Sequence, residues 1–123
     1  MKIWKKYITA GNEKFAQSDF ESARTLYRAA RNEAEALFSS WREPDEAVSA
    51  LIVSYHNTAD LYQRQGNTDK ARSILEKVHQ LMLRAVASTS ADDKRHYALY
   101  RGSITTYSAL LSHQRCHLMS SVH

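Results

Sequence analysis

The sequence predicts an all-α protein of antiparallel helical hairpins, about five helices with the last one capping the stack. Three observations predict it. Apolar residues recur at steps of three and four along almost the whole chain, the spacing that lines one face of a helix. Only three glycines and one proline interrupt 123 residues, so little breaks regular structure. The segment beginning at Gly11, "GNEKFAQSDFESARTLY", is loosely echoed by "ADLYQRQGNTDKARSIL" beginning at Ala59, and self-similarity at a fixed period marks repeat architectures.

The first helix is expected from about Ile3 to Gln17. The second carries Phe20, Ala23, Tyr27, Ala30, Ala34, Leu37 and Trp41 on one stripe. Ser18 and Glu21 form a capping-box pattern before it, placing its start near Asp19. Pro44 disfavours helical backbone at Glu43 and suits the first turn of the next helix, so a turn belongs at "REPDE". The third stripe is Val48, Ile52, Tyr55, Ala59 and Tyr62, ending at Gly66, which suits the left-handed turn after a helix. Past "GNTD" come Ala71, Leu75, Val78, Met82 and Ala85, then the polar break "STSADD", where Ser90 can cap the last helix. The stripe of that helix is expected to be Tyr97, Tyr100, Ile104, Tyr107 and Leu111. Gly102 falls on another face, at a helix-propensity cost of about 1 kcal/mol against alanine.

One domain spans residues 1–123, with hairpin 1 over about 3–41, hairpin 2 over about 45–87, a terminal helix over about 91–113 and a tail over 114–123. Ala23 and Ala71 stand 48 residues apart, as do Gly11 and Ala59, Tyr27 and Leu75, and Ala30 and Val78. Tyr55, Ala59 and Tyr62 match Tyr100, Ile104 and Tyr107 at a spacing of 45. The last helix therefore reads as the first half of a third unit, a cap over an otherwise wet apolar face.

These residues resemble the tetratricopeptide repeat, a helical hairpin with small residues at the close crossing. Tyr7, Gly11, Phe15, "SDF", Ala23, Tyr27 and Ala30 carry the pattern in the first unit, and Tyr55, Ala59, Tyr62, "QGN", Ala71, Leu75 and Val78 in the second. Gly11 against Ala23, and Ala59 against Ala71, would let the paired backbones approach closely. The usual period is about 34 residues. The excess is about two turns per helix, so the chain looks like a long-helix variant with about two and a half repeats over residues 4–111.

The resemblance implies a concave groove that grips a peptide or helix of another protein. Its lining would be Ile8, Asn12 and Phe15, then His56, Asn57, Asp60 and Gln63, then Arg101 and Thr105. Asn12 and Asn57 match two asparagines with which some members hold a terminal carboxylate, but Ile8, Ala98 and Gly102 stand where those members carry basic residues.

Charge adds a second indication. Residues 1–62 hold eight Lys/Arg and nine Asp/Glu, and residues 63–123 hold nine and four. Lys94, Arg101 and Arg115, at multiples of seven, form a basic face suited to an acidic protein partner. Nucleic acid is not expected, because nothing matches a nucleic-acid motif and tyrosines at helical spacing are ordinarily core.

Chemistry-bearing patterns are sparse. Glu76 and His79 make a Glu-x-x-His pair, but a di-metal bundle needs two such pairs with two further glutamates. His79 is expected packed or solvated between hairpins. His113, Cys116 and His117, with His123 nearby, are weak metal candidates near the chain end. Gly11, Gly66 and Gly102 are too dispersed for a phosphate loop. No cofactor and no catalysis are expected. One cysteine excludes an internal disulfide, and neither a secretory leader nor a membrane span is visible, which points to the cytoplasm. The expected function is a protein-interaction module, acting as adaptor, scaffold or chaperone. The alternatives are a small helical metal-binding or sensor protein, and a homo-oligomer whose groove is filled by its neighbour.

Overall fold

The computed structural model describes residues 1–40 and 43–122, with 117–122 by backbone alone. Trp41 and His123 lie outside the described residues, as does the side chain of His117. Five helices follow one another: α1 (Lys2–Ala16), α2 (Phe20–Ser40), α3 (Pro44–Arg64), α4 (Thr68–Ala87) and α5 (Lys94–Val122). The described residues contain no strand. Each helix packs on the next, and α3 also touches α1 and α5. That order, with tight turns, is the packing of hairpins laid side by side. α5 continues through most of the segment expected to be a tail.

The two hairpin turns are built alike. At the end of α1 the Asp19 N–H reaches back to the Lys14 carbonyl at 2.9 Å, and at the end of α3 the Asn67 N–H reaches the Tyr62 carbonyl at 2.8 Å. Both close over a residue in the left-handed region, Ser18 at φ 60° and Gly66 at φ 80°. The following side chain then caps the next helix: Asp19 Oδ1 accepts from the Ser22 N–H at 3.3 Å, and Asn67 Oδ1 from the Lys70 N–H at 3.2 Å. This corrects the capping box expected at Ser18 and Glu21, because Ser18 is spent on the turn and Asp19 makes the cap. Asp93 likewise displaces Ser90 as the cap of α5, accepting from the Arg95 N–H at 2.9 Å while Ser90 Oγ takes the Asp92 N–H one turn earlier.

The stripes expected for α2, α3 and α4 form the core: Ala23, Tyr27, Ala30 and Ala34; Val48, Ile52, Tyr55 and Ala59; Ala71, Leu75, Val78 and Met82. Gly11 makes room for the Tyr27 ring rather than for Ala23, since a Cβ there would stand 2.5 Å from Tyr27 Cε1. Polar bonds cross between hairpins. Trp4 Nε1 donates to Ser54 Oγ at 2.7 Å, joining α1 to α3, and the Ser54 hydroxyl passes its own proton to the Ala50 carbonyl. The buried Tyr55 hydroxyl donates to Glu35 Oε1 at 2.8 Å, joining α3 to α2.

α5 is the exception. It buries Ala98, Leu99, Gly102 and Thr106 and leaves Tyr97, Tyr100, Ile104 and Tyr107 exposed at 66%, 51%, 53% and 52%. The expected core stripe is the outer face. Gly102 is the reason the other face wins: its missing side chain lets α5 settle where a Cβ would stand 2.9 Å from Met82 Sδ and Val48 Cγ1. His79 seals the contact from α4. Thr106 gives its proton to the Gly102 carbonyl at 3.0 Å, so His79 Nδ1 is the donor in the buried 2.8 Å bond to Thr106 Oγ1.

Candidate functional site

α3 and α5 run side by side and enclose a seam. Its deeper part is an open cavity of about 550 Å³ lined by His56, Ala59, Asp60 and Gln63 of α3, Thr68 and Leu75 of α4, and Ala109, Ser112, His113 and Cys116 of α5. The α3 residues recur at three and four, as do those of α5, so each helix offers one face. Towards the other end of the same helices lies a shallower depression of about 190 Å³, which includes Asp45, Val48, Ile52, Arg101, Gly102 and Thr105.

The electrostatics of the deeper cavity come from its walls. Burial pushes the His56 imidazole below its ordinary pKa of 6.5, favouring the neutral ring. The Asp60 carboxyl sits on the rim yet is crowded enough that desolvation raises its pKa above 3.8. Nε2 of His56 and Nε2 of His113 are both buried without a hydrogen-bond partner among the described residues. Buried polar atoms are usually paired, so His56 and His113 carry hydrogen-bonding capacity that the described residues leave unused.

A second polar cluster stands where α1, α2 and α3 meet. Asn57 Nδ2 donates to Asn12 Oδ1 at 3.0 Å, and the Tyr27 hydroxyl donates to the same oxygen at 2.6 Å. Burial, with a smaller contribution from the Asp60 charge, pushes the Tyr27 hydroxyl up to about 12. The two asparagines are thus brought together, but they bind each other across the hairpins.

The expected groove residues therefore divide. His56, Asp60 and Gln63 line the cavity; Arg101 and Thr105 line the shallower depression of the same seam. Asn12 and Asn57 form the bridge beside it. Two expectations are corrected. Ile8 is buried in the core among the α1 contacts, because the face of α1 that carries Trp4 and Gly11 turns inward and carries Ile8 with it. Phe15 stands at the hairpin turn, edge-on to Phe20 at 5.8 Å with Arg64 over its ring at 6.0 Å, and is not part of the cavity wall.

The α5 wall is the part of the site that the sequence expectation leaves out. Ala109, Ser112, His113 and Cys116 share one face at steps of three and four, and the signal was there, but with the tyrosines assigned to the core that face had no role. His113 and Cys116 line the cavity together. Among the described residues, no group of three or more His, Cys, Asp or Glu is placed to hold a metal ion. Glu76 is exposed and lies 3.9 Å from Arg72, while His79 is buried against Thr106. Lys94, Arg101 and Arg115 are all exposed on α5, with the Arg101 guanidinium 5.4 Å over the Tyr97 ring.

Fold and seam together define a class: an all-helical chain of packed hairpins with a partly polar groove between its third and fifth helices. Residues 2–122 match a family described as "Protein of unknown function (DUF2753)", and the chain belongs to that family. No curated protein and no solved structure matches it. Among the described residues, no helix is long and apolar enough to cross a membrane.

Proposed function

We propose that this protein is a recognition module of the tetratricopeptide-repeat kind, working in the cytoplasm without catalysis, and that it holds a peptide or helical segment of a partner protein in the α3/α5 seam. The observation that carries the reading is the 550 Å³ cavity, whose wall holds His56 and His113 beside Asp60 and Gln63. Open grooves with an apolar floor and a few convergent polar groups bind extended or helical segments, the polar groups fixing register. Leu75, Ala59 and Ala109 supply that floor.

The Asn12–Asn57 bridge is read as supporting the groove rather than gripping a terminal carboxylate, since the Asn57 amide nitrogen, a donor such a grip would use, already donates to Asn12 Oδ1. The seam is accordingly read as selecting an internal segment with hydrogen-bonding side chains.

The test is capture of a defined partner by full-length protein and by the pair Asp60→Lys with His113→Ala. Both side chains lie on the cavity wall, so the pair should lose capture while keeping its helical circular dichroism and melting temperature. Undiminished capture would sink the reading.

A further inference from the structure

We propose that the outer face of α5 is a second docking surface, distinct from the seam, and that its occupant is an acidic amphipathic helix of another protein seated where the second helix of a third hairpin would stand. The face is formed by Tyr97, Tyr100, Ile104 and Tyr107, each more than half exposed, with the half-buried Leu111 continuing the line. It is turned away from Ala98, Gly102 and Thr106, which face the core, and from His113 and Cys116, which line the cavity, and at its edge the Tyr107 ring lies 5.6 Å from that of buried His79. Contiguous exposed aromatic and aliphatic residues of this kind mark interaction sites.

α3 indicates the kind of occupant. Forty-five residues before Tyr97, Tyr100 and Ile104 stand Ile52, Tyr55 and Ala59, and these are buried to 7%, 2% and 3% exposure under neighbouring helices. The same stripe in α5 has helices on one side only. A helix apolar on two faces is suited to burial on both. What fits over it is another helix, and the 15 residues from Tyr97 to Leu111 give it a length of roughly 21 Å, about four turns. Ile104 stands where the earlier first helices have Gly11 and Ala59, so the occupant needs the small residue on its own side of the crossing.

Charge separates a foreign helix from a second copy. From Lys94 to Val122 the helix has four Lys/Arg and no Asp or Glu. Lys94, Arg101 and Arg115 flank the stripe. A two-fold antiparallel pairing centred on Ile104 would bring the Lys94 end of each copy level with the Arg115 end of the other, setting like charges together. A helix with glutamates flanking an alanine- and leucine-lined stripe meets the same rail with opposite charge.

The experiment uses the full-length protein and two synthetic peptides of about four turns: one with glutamates flanking an Ala/Leu stripe, the other with lysines in their place. Fluorescence anisotropy is expected to show the acidic peptide binding at least ~10-fold tighter than the basic one, with the difference shrinking at high salt. Ile104→Gln, and separately Tyr100→Ser with Tyr107→Ser, should weaken it by ~10-fold or more, as loss of central apolar anchors does. Asp60→Lys, in the seam, should leave it unchanged, so that failure of this surface and failure of the seam are read apart. Sedimentation equilibrium should show a monomer. A dimer that Ile104→Gln dissolves would make a second copy the occupant and overturn the proposal; so would equal affinity for both peptides, no binding of the acidic one, or binding lost through Asp60→Lys alone.

Discussion

Helices α3 and α5 carry the same stripe and meet opposite fates. In α3, Ile52, Tyr55 and Ala59 are enclosed; in α5, Tyr97, Tyr100 and Ile104 face outward. The difference lies outside the stripe. α3 packs against four helices, α1, α2, α4 and α5, whereas among the described residues α5 packs against two, α3 and α4. An identical periodicity thus specifies a helix in both places, but burial is decided by how many neighbours the chain supplies.

Truncation at matched positions should separate the two helices most strongly. Tyr55→Ala removes a buried ring and its bond to Glu35, and should destabilise by about 3–5 kcal/mol. Tyr100→Ala should stay within about 0.5 kcal/mol. Urea unfolding of the two variants checks both values, and equal losses would mean that the outer face of α5 is covered within the protein itself.

Alkaline unfolding should read the enclosed tyrosines next. Burial, and for Tyr55 also the Glu35 hydrogen bond, raises the hydroxyls of Tyr27 and Tyr55 to about 12 from an ordinary 10. Both rings are about 2% exposed. Their raised folded pKa means that the contribution is intact below pH 10 and is lost as pH climbs from 10 to 12. At the upper end each contributes a loss of about 2–3 kcal/mol. Tyr27→Phe and Tyr55→Phe should each flatten that decline in stability against pH.

Gly102→Ala tests why α5 lies on its glycine face. Alanine raises helix propensity, yet its Cβ would meet Met82 Sδ and Val48 Cγ1 at 2.9 Å. Overpacking of this sort costs about 1–3 kcal/mol, and a stabilised variant would show that the face can relax. The smallest effect belongs to the paired turns. Ser18→Gly relieves a left-handed serine and should stabilise by about 0.5–1 kcal/mol, while Gly66→Ser should lose a similar amount. Thermal melts of both variants resolve the two signs.

Much of the fold was legible in residues whose partners are local. Pro44, Gly66 and the stripes of α2 to α4 state their roles through backbone geometry and periodicity. Ser18 misled because a serine before a helix reads as a cap, and only the turn geometry reveals that Asp19 holds that position. The tyrosines of α5 misled for a deeper reason: a stripe reports amphipathicity, while Gly102 reports which face can approach a neighbour, and the second signal looked like a defect. In the candidate site, the spacing of His56, Asp60 and Gln63 puts them on one face of α3, and that face lines the cavity. His113 and Cys116 were not given to the groove, since their role depends on the orientation of α5. Ile8 belongs to the groove only by analogy of position, because the same face carries Trp4 and Gly11 into the core.

The hydrogen bond from Trp4 to Ser54 has a consequence for how the molecule comes apart. Repeat chains with weak joints between units can lose them one at a time, as a row of nearly independent elements. Here a buried indole of the first hairpin is tied to the second, with Tyr55 to Glu35 and Asn57 to Asn12 spanning the same joint. Splitting the joint would turn the rings of Trp4 and Tyr55, 8% and 2% exposed in the intact chain, out into water. Neither hairpin is therefore a cooperative unit alone, and the chain should unfold in one step.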